Sequence, residues 1–291
     1  MTTDSEPAIR VSILIVTHQS RDLLASTLER VHSSDGRDPR ALGRELLVVD
    51  NASTDGTSAM VRSRFPDVQI LEPGVNLGFG AANNLAARHA RGDLLLLLNS
   101  DAWPRVGTIE RLAATLDAQP DAAVACPRLL YANGRPQFHW APWTGVVGEA
   151  LQKLRNRVEA RRWAHRPLPG LGWFTAACLM VRRRAFEQVG GFDERFFLYF
   201  EDVDLCRRLA DAGWRLLDAP AASAVHLKGA SQGGGPGEVA YRRSQLLYYA
   251  LHRPAWERLW LLRRLRRKFA RRDDAARPQL LALLDESPPT T

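Results

Sequence analysis

The chain has 291 residues, 45% of them hydrophobic and 25% charged, which is typical of a globular protein with one large domain or two smaller ones. Its three cysteines are far apart and lack CxxC spacing, which excludes a disulfide framework and a zinc finger and suits a reducing cytosol. No run approaches the ~20 apolar residues of a membrane-spanning helix. We therefore expect a cytoplasmic protein.

The net charge of +8 is concentrated towards the carboxyl end. Residues 241–277 hold twelve Arg or Lys against three acids, a balance of +9, so the remainder of the chain is about neutral. No recognised nucleic-acid-binding module accompanies this charge, and we expect no nucleic acid among the partners.

Apolar runs alternate with helical stretches through the first hundred residues. Strands that are apolar throughout and alternate with helices are typical of a mostly parallel sheet with helices on both faces. We therefore predict an α/β fold. The predicted strands are 11–17, 45–50, 67–71 and 94–98. The predicted helices are 21–31, a short one that follows Thr57 and ends near Phe65, and an alanine-rich one that follows Asn84 and ends near Ala90.

The pattern is looser in the second half. Residues 138–169 look irregular, and a glycine-rich joint at 233–237 precedes helices that include 256–269. We accordingly divide the chain into a catalytic domain, 1–236, and a helical basic extension, 237–291. The other predicted elements are helices 108–119 and 184–189 and strands 122–131, 173–182, 214–218 and 224–226.

Polar residues follow several of the apolar strands. The five leucines 94–98 end in an amide and a carboxylate, and turn chemistry alone explains part of this pattern. A parallel sheet, however, brings the carboxyl ends of its strands to one edge, where α/β proteins bind ligands. Such a group suits a nucleotide and its diphosphate. The residues concerned are Thr17, His18, Asp50, Asn51, Asn76, Asn99, Ser100 and Asp101.

Two residues are candidate metal ligands. Mg²⁺ needs few protein carboxylates when it bridges phosphate oxygens, so Asp101 alone could hold it. His226 is a further candidate and would favour Mn²⁺, although a half-buried structural histidine is the simpler interpretation of its spacing. A dinucleotide site is not favoured, because Gly78 and Gly80 follow the third strand and Asn83 stands where the last fingerprint glycine would be.

Glu201 and Asp202 begin a helix, where acids complement the helix dipole. The aromatic run Phe196–Phe200 precedes them. Apolar surroundings raise the pKa of a carboxylate and make it a better general base, which favours a catalytic role for Asp202. The pair Asp204 and Arg208 is a structural i,i+4 contact.

The segment 256–269 places tryptophans among clustered arginines. A basic amphipathic helix with tryptophan is typical of membrane-surface binding. A helix that packs its apolar side on the main domain fits equally well, and the sequence leaves both interpretations open.

Six stretches, in this order, resemble the GT-A glycosyltransferases of family 2, and especially their bacterial rhamnosyltransferase-like members. The resemblance covers roughly residues 9–235. The stretches are Val16–His18, Val48–Thr57, Asn76–Gly80 with Asn84, Leu98–Asp101, Gly190–Glu194 and Phe200–Arg208.

The resemblance implies a Rossmann-like nucleotide-binding half and an inverting transfer of a sugar from a nucleotide-sugar, assisted by Mg²⁺ or Mn²⁺. It assigns the metal to Asp101 and His226, and the catalytic acids to Asp202, as general base, and Glu201. Asn99 stands where the strict Asp-x-Asp motif has its first Asp, and members of this subgroup often have an Asn at that position. The donor-site residues it implies are Thr17, His18, Asp50 (at the base), Asn51, Asn76, Asn84, Asn99 and Ser100.

By likeness to the subgroup, dTDP-rhamnose is the expected donor, with UDP-sugars next. The expected acceptor is a lipid-linked or cell-surface glycan at the inner face of the membrane, whose surface is a further partner. One alternative is a nucleotidyltransferase, which would need a basic glycine-rich loop where Thr17–Ser20 stands. The other is a non-catalytic protein that binds nucleotides or membranes.

Overall fold

The computed structural model describes residues 9–33, 43–149, 170, 172–227, 237–274 and 276–286. Most of the segment predicted to be irregular, and all of the predicted glycine-rich joint except Gly237, lie outside these residues.

The described residues form strands and helices close to the predicted positions. The strands are β1 (Val11–Thr17), β2 (Arg44–Asp50), β3 (Gln69–Leu71), β4 (Leu94–Asn99), β5 (Ala102–Pro104), β6 (Ala122–Leu130), β7 (Pro136–Gln137), β8 (Trp140–Pro142), β9 (Gly172–Phe174), β10 (Cys178–Arg182) and β11 (Arg215–His226). The helices are α1 (Arg21–Ser33), α2 (Thr57–Arg64), α3 (Phe79–His89), α4 (Thr108–Asp117), α5 (Arg183–Gln188), α6 (Glu201–Asp211), α7 (Gly237–His252), α8 (Ala255–Ala270) and α9 (Arg277–Leu283).

One large sheet organises the fold, with strand order β3-β2-β1-β4-β10-β6-β11-β5 and with β7 paired to β6. The first four strands are parallel, as are β6 and β11, whereas β10 runs antiparallel between β4 and β6. The prediction of an α/β fold with a mostly parallel sheet is confirmed. The carboxyl ends of β1, β2, β4 and β11 therefore lie along one edge.

The five leucines of β4 explain why the strand is apolar throughout. Leu94, Leu96 and Leu98 belong to the core on one face of the sheet, and Leu95 and Leu97 belong to the core on the other face. All five are almost fully buried. A strand covered by helices on both faces has no solvent side on which a polar residue would be favourable.

Two strand predictions were wrong. The apolar run 173–182 is two strands, since β9 pairs with β8 in a separate small sheet and β10 joins the large one. The two strands predicted at 214–218 and 224–226 are one, β11, with a register shift between Ala219 and Ser223. Apolar character alone does not reveal which partner strand a segment will find.

The C-terminal helices share a hydrophobic core with the aromatic run that precedes α6. His252 of α7 also contacts the buried carboxylate of Asp204 on α6, at 2.7 Å. One face of the basic helix α8 therefore packs on the rest of the protein, which is one of the two predicted alternatives. The shared core consists of Phe196, Phe200, Val203, Leu247, Tyr248, Tyr249, Leu261, Leu265, Phe269, Leu280 and Leu284.

The loop before α3 touches the loop before α6. The backbone N–H of Phe79 donates to the carbonyl oxygen of Phe197 at 2.9 Å. Gly78 has φ +81° and ψ −177°, a conformation that essentially only glycine adopts. A Cβ atom at Gly78 would lie 2.2 Å from the same carbonyl oxygen. Glycine is therefore required here both by the backbone and by the close approach.

We predict that Gly78→Ala lowers the free energy of unfolding by at least about 3 kcal/mol, because backbone strain and the clash with Phe197 add. Gly56→Ala is the matched control, since Gly56 has φ +82° but open space where a Cβ would stand. This control should lose only about 1 kcal/mol. Urea unfolding of both variants measures the difference, and equal losses would contradict the role given to the close approach.

Candidate active site

A cavity of about 690 Å³ lies between one edge of the large sheet and the C-terminal helices. Four of the predicted site residues line it, Asn99 and His226 at the ends of β4 and β11 and Glu201 and Asp202 at the start of α6. Helices α7 and α8 supply another wall. The fold thus brings together residues that are 127 positions apart in sequence.

Asp101 and His226 form a carboxylate–imidazole pair at this edge. Nε2 of His226 lies 3.4 Å from Oδ1 of Asp101 and 3.5 Å from Nδ2 of Asn99. The backbone is fixed as well, since the N–H of Leu227 donates to the carbonyl oxygen of Asp101 at 3.0 Å. The predicted metal ligands are therefore neighbours in space.

Gln137, which the sequence did not single out, holds His226 at two points. Its Oε1 lies 2.6 Å from Nδ1 of His226, and its Nε2 donates to the His226 carbonyl oxygen at 3.1 Å. The amide oxygen accepts a hydrogen bond from Nδ1–H, so the lone pair stays on Nε2, which faces Asp101. Gln137 lies in a two-residue strand, a feature that leaves no periodic signal in a sequence.

The donor atoms at this edge fit a divalent cation completed by its substrate. A carboxylate oxygen and an imidazole nitrogen suit Mn²⁺ or Mg²⁺, which take their remaining ligands from phosphate oxygens and water. Among the described residues no three or more His, Cys, Asp or Glu side chains are grouped to hold a metal, so the protein alone does not provide a closed site.

Thr17 and Asp50 end β1 and β2 side by side. Oδ1 of Asp50 accepts from the N–H of Ser53 at 3.0 Å, and Oδ2 accepts from the hydroxyl of Ser58. A carboxylate has about four lone-pair sites, so Asp50 retains acceptor capacity for a ligand. Within the described residues the buried Oγ1 of Thr17 has no hydrogen-bond partner.

The side chains of Asn51 and Asn76 connect two loops. Nδ2 of Asn51 donates to Oδ1 of Asn76 at 2.8 Å and to the carbonyl oxygen of Gly78 at 3.0 Å. Oδ1 of Asn51 accepts from the N–H of Leu77 at 2.8 Å. Next to them, Nδ1 of His18 lies 2.8 Å from the carbonyl oxygen of Asn51. These contacts fix the shape of the loops around the strand ends.

Asn84 and Ser100 are buried behind the strand ends. Asn84 accepts from the N–H of Phe192 at 2.8 Å and donates to the carbonyl oxygen of the same residue at 2.9 Å. The carbonyl oxygen of Ser100 accepts from the hydroxyl of Thr27 at 2.8 Å. Neither residue lines the large cavity, and the contacts of both hold loops and helices in place.

The acid pair follows a strained turn, in which Tyr199 and Phe200 have φ +69° and +67°. Oδ1 of Asp202 accepts from the N–H of Val203 at 2.8 Å, and Oδ2 accepts from the N–H of Ala176 at 3.3 Å. Ala176 lies in the break between β9 and β10, the break that the sequence-based strand prediction missed.

The pKa values of both acids are raised. Burial raises the pKa of Asp202 to about 6, although hydrogen bonds from Ala176 and Val203 oppose the shift. Burial, followed by the charge of Asp202, raises the pKa of Glu201 well above its usual range. The desolvation expected from the aromatic run is thus observed at both acids.

Comparison of the sequence with known proteins identifies the family to which the chain belongs. The family described as "Glycosyl transferase family 2" matches residues 12–190. An N-acetylglucosaminyl-diphospho-decaprenol L-rhamnosyltransferase of Mycobacterium tuberculosis is 33% identical over 255 residues, which cover 75% of this chain and 79% of that protein. The rhamnosyltransferase WbbL of Escherichia coli K12 is 25% identical over 229 residues, which cover 74% and 83%.

A solved structure shares the fold. The mannosyltransferase PcManGT of Pyrobaculum calidifontis, in complex with GDP-Man and Mn²⁺, superposes with a TM-score of 0.58 at 19% identity, covering 96% of this chain and 73% of that one. The protein is thus a glycosyltransferase with a GT-A fold. It belongs to glycosyl transferase family 2 and is rhamnosyltransferase-like. The nucleotidyltransferase and non-catalytic alternatives are set aside.

No helix in the described part of the chain combines the length and the apolar character needed to cross a bilayer.

Proposed function

We propose that the protein transfers a sugar, with inversion, from a nucleotide-sugar to a lipid-linked or cell-surface glycan, with Asp202 as the general base. The observation that carries the proposal is a desolvated carboxylate, Asp202, in the same cavity as the sheet-edge residues Asn99 and His226. Rhamnose from dTDP-rhamnose is the first choice of donor, because two relatives are named as rhamnosyltransferases. UDP-sugars come next.

In the proposed reaction the acceptor hydroxyl attacks the anomeric carbon in line with the departing nucleoside diphosphate. Asp202 accepts the hydroxyl proton as the new C–O bond forms. The two backbone N–H groups that point at this carboxylate, from Ala176 and Val203, fix its direction. The bond from the sugar to the diphosphate breaks with its electrons going to the phosphate oxygen.

Asp101 and His226 would hold a Mg²⁺ or Mn²⁺ ion, supported by the Mn²⁺ present in the structural relative. A bound cation offsets negative charge that builds on the diphosphate as it leaves. The residues of the protein itself orient the groups around it, since Gln137 fixes the ring of His226 and keeps Nε2 turned towards Asp101.

We predict that Gln137→Leu weakens Mn²⁺ binding in the presence of dTDP by roughly 10- to 100-fold, because His226 loses the partner that sets its orientation. Gln137→Glu, which keeps an acceptor at Nδ1, should recover most of the affinity. Electron paramagnetic resonance titration of free Mn²⁺ measures both variants. Unchanged Mn²⁺ affinity in Gln137→Leu would show that His226 needs no such support or binds no metal.

We predict transfer of rhamnose from dTDP-rhamnose by the wild-type protein, with a loss of roughly 10²- to 10⁴-fold in kcat for Asp202→Asn. The base acts only when it is deprotonated, so wild-type kcat/KM should fall as the pH drops through about 6. The measurements are turnover at pH 5 to 8 and donor affinity by calorimetry, which Asp202→Asn should leave nearly unchanged.

Glu201→Gln serves as the comparison for the neighbouring acid. Burial and the charge of Asp202 raise the pKa of Glu201 well above its usual range, and the acidic fall of the pH profile is assigned to Asp202, so the variant should retain that fall. Turnover like that of the wild type in Asp202→Asn would remove Asp202 as the base. Absence of transfer from any dTDP- or UDP-sugar by the wild type would remove the proposed reaction.

We also propose that one face of α8 meets the inner membrane surface. Trp256, Leu259 and Trp260 remain 59%, 52% and 37% exposed, and Arg263 and Arg267 are exposed further along the same face. We call these five residues the outer face. Helix α8 thus packs inward through other residues and still presents the combination of tryptophan and arginine that suits an anionic interface.

Trp256→Ser combined with Trp260→Ser should reduce co-sedimentation with vesicles that contain phosphatidylglycerol by about tenfold or more, since two interfacial anchors are lost. Vesicles of phosphatidylcholine alone should bind both proteins weakly, because the arginines then meet no anionic lipid. Equal sedimentation of the wild type and the double variant would exclude the outer face as the membrane contact.

A further inference from the structure

Three cations from the C-terminal helices line the cavity that contains Asp202. Arg242 belongs to α7, and Arg264 and Lys268 lie one turn apart on α8. We call these three residues the cationic wall. They line the cavity, which the arginines of the outer face do not, although the side chains of Arg264 and Lys268 remain 40% and 49% exposed.

Each cation of the cationic wall forms an ion pair with a carboxylate, and two of the three cations share the same one. Arg264 pairs with Glu149 at 2.6 Å, whereas Lys268 and Arg242 share Glu238, at 2.6 and 3.1 Å. Within the described ranges, two carboxylates thus pair with the three cations of the wall, and of those two only Glu149 lines the cavity.

Glu238 receives a fourth cation, Arg272. Partial burial acts to raise the pKa of Glu238, but hydrogen bonds from Lys268, Arg272 and Arg242 lower it to about 2. A carboxylate surrounded in this way neutralises only part of the local positive charge. The wall consequently has capacity for an anionic ligand.

The remainder of the cavity is suited to a sugar. Trp173, Tyr199, Phe200 and Tyr241 line it and provide aromatic surface near Asp202. Nε1 of Trp173 is buried without a hydrogen-bond partner among the described residues, so a donor is available there. Flat apolar surface with a few polar groups is the usual composition of a small-molecule site.

One ligand therefore has to offer a sugar hydroxyl to Asp202 and an anion to the C-terminal helices. Arginine and lysine bind phosphate oxygens well, arginine through two parallel hydrogen bonds. In the reaction proposed above, the diphosphate of the donor lies beside Asp101 and His226, at the sheet edge and not at the C-terminal helices. A second phosphate-bearing substrate fits the wall.

We propose that Arg242, Arg264 and Lys268 bind the phosphate groups of the acceptor, which is a sugar joined through a diphosphate to a lipid alcohol. This inference rests on the proposed sugar transfer. It makes the C-terminal helices the part of the protein that selects a diphosphate-linked acceptor over a neutral glycoside. It also places the lipid end of that acceptor near α8, the helix that carries the outer face.

The test is the double variant Arg264→Gln/Lys268→Gln with two acceptors that differ in charge, N-acetylglucosaminyl-diphospho-farnesol and octyl N-acetylglucosaminide. We expect kcat/KM for the diphosphate acceptor to fall roughly 30-fold or more, since two charge-assisted contacts are lost. The neutral acceptor should change by less than about threefold, because it never makes those contacts. The KM for dTDP-rhamnose should stay the same.

The matched control is Arg266→Gln/Arg271→Gln, which removes the same charge from exposed positions at the carboxyl end of α8 and just beyond it. It should leave both acceptors unaffected. Glu149 keeps hydrogen bonds from Tyr249 and Gln245 in the test variant, at 2.9 and 3.2 Å, and the thermal midpoint checks the fold. The single variant Arg264→Lys retains the charge and should therefore keep most of the wild-type kcat/KM for the diphosphate acceptor.

Equal losses for the two acceptors would mean that the wall only supports the cavity, and a raised KM for dTDP-rhamnose would assign it to the donor. Either result overturns the proposal. Calorimetric binding of N-acetylglucosaminyl-diphospho-farnesol gives a readout that does not need turnover. If the wild type binds this acceptor and the double variant does not, the cationic wall is a binding site for the acceptor even when no rhamnose is transferred. In that case only the proposed reaction is contradicted.

Discussion

The partial burial of Asp202 is the constraint on which the cavity depends. A carboxylate at the start of a helix would ordinarily be solvated and weakly basic, whereas burial here raises its pKa to about 6. The strained turn at Tyr199 and Phe200 precedes this acid, and the rings of Tyr241 and Tyr248 on α7 lie 5.3 and 5.6 Å from that of Phe200. The C-terminal helices thus pack on the turn that presents the acid and line the cavity into which it faces.

The sequence predicted the parallel half of the sheet well because its information is local. Five leucines in β4 had to be covered on both faces, and each strand end carried its own polar residues. The family resemblance then named Asp101 and Asp202. Pairings that join distant segments were not predictable: β10 enters the sheet antiparallel, and Gln137 reaches His226 across 89 positions. Neither contact leaves a periodic pattern in either segment.

Two amides from the motif stretches show why a recognised motif does not specify the contacts of its residues. Asn51 and Asn84 were both predicted in the donor site, and both are buried with hydrogen bonds to neighbouring loops. The N–H and C=O groups of a buried amide all need hydrogen-bond partners. Backbone groups provide such partners in every state of the enzyme, whereas a substrate provides them only while it is bound. Residues of this kind shape the edge of the sheet, and their direct contact with a donor stays a prediction.

The core shared by the C-terminal helices and the aromatic run has a consequence for recombination between relatives. Phe196, Phe200 and Val203 belong to that core, and Asp204 pairs with His252 at its border. The C-terminal helices therefore pack as one unit with the start of α6, and exchanging them alone between relatives would break this core. A hybrid enzyme would need the start of α6 and the C-terminal helices from the same parent, because packed aromatic rings join these two segments.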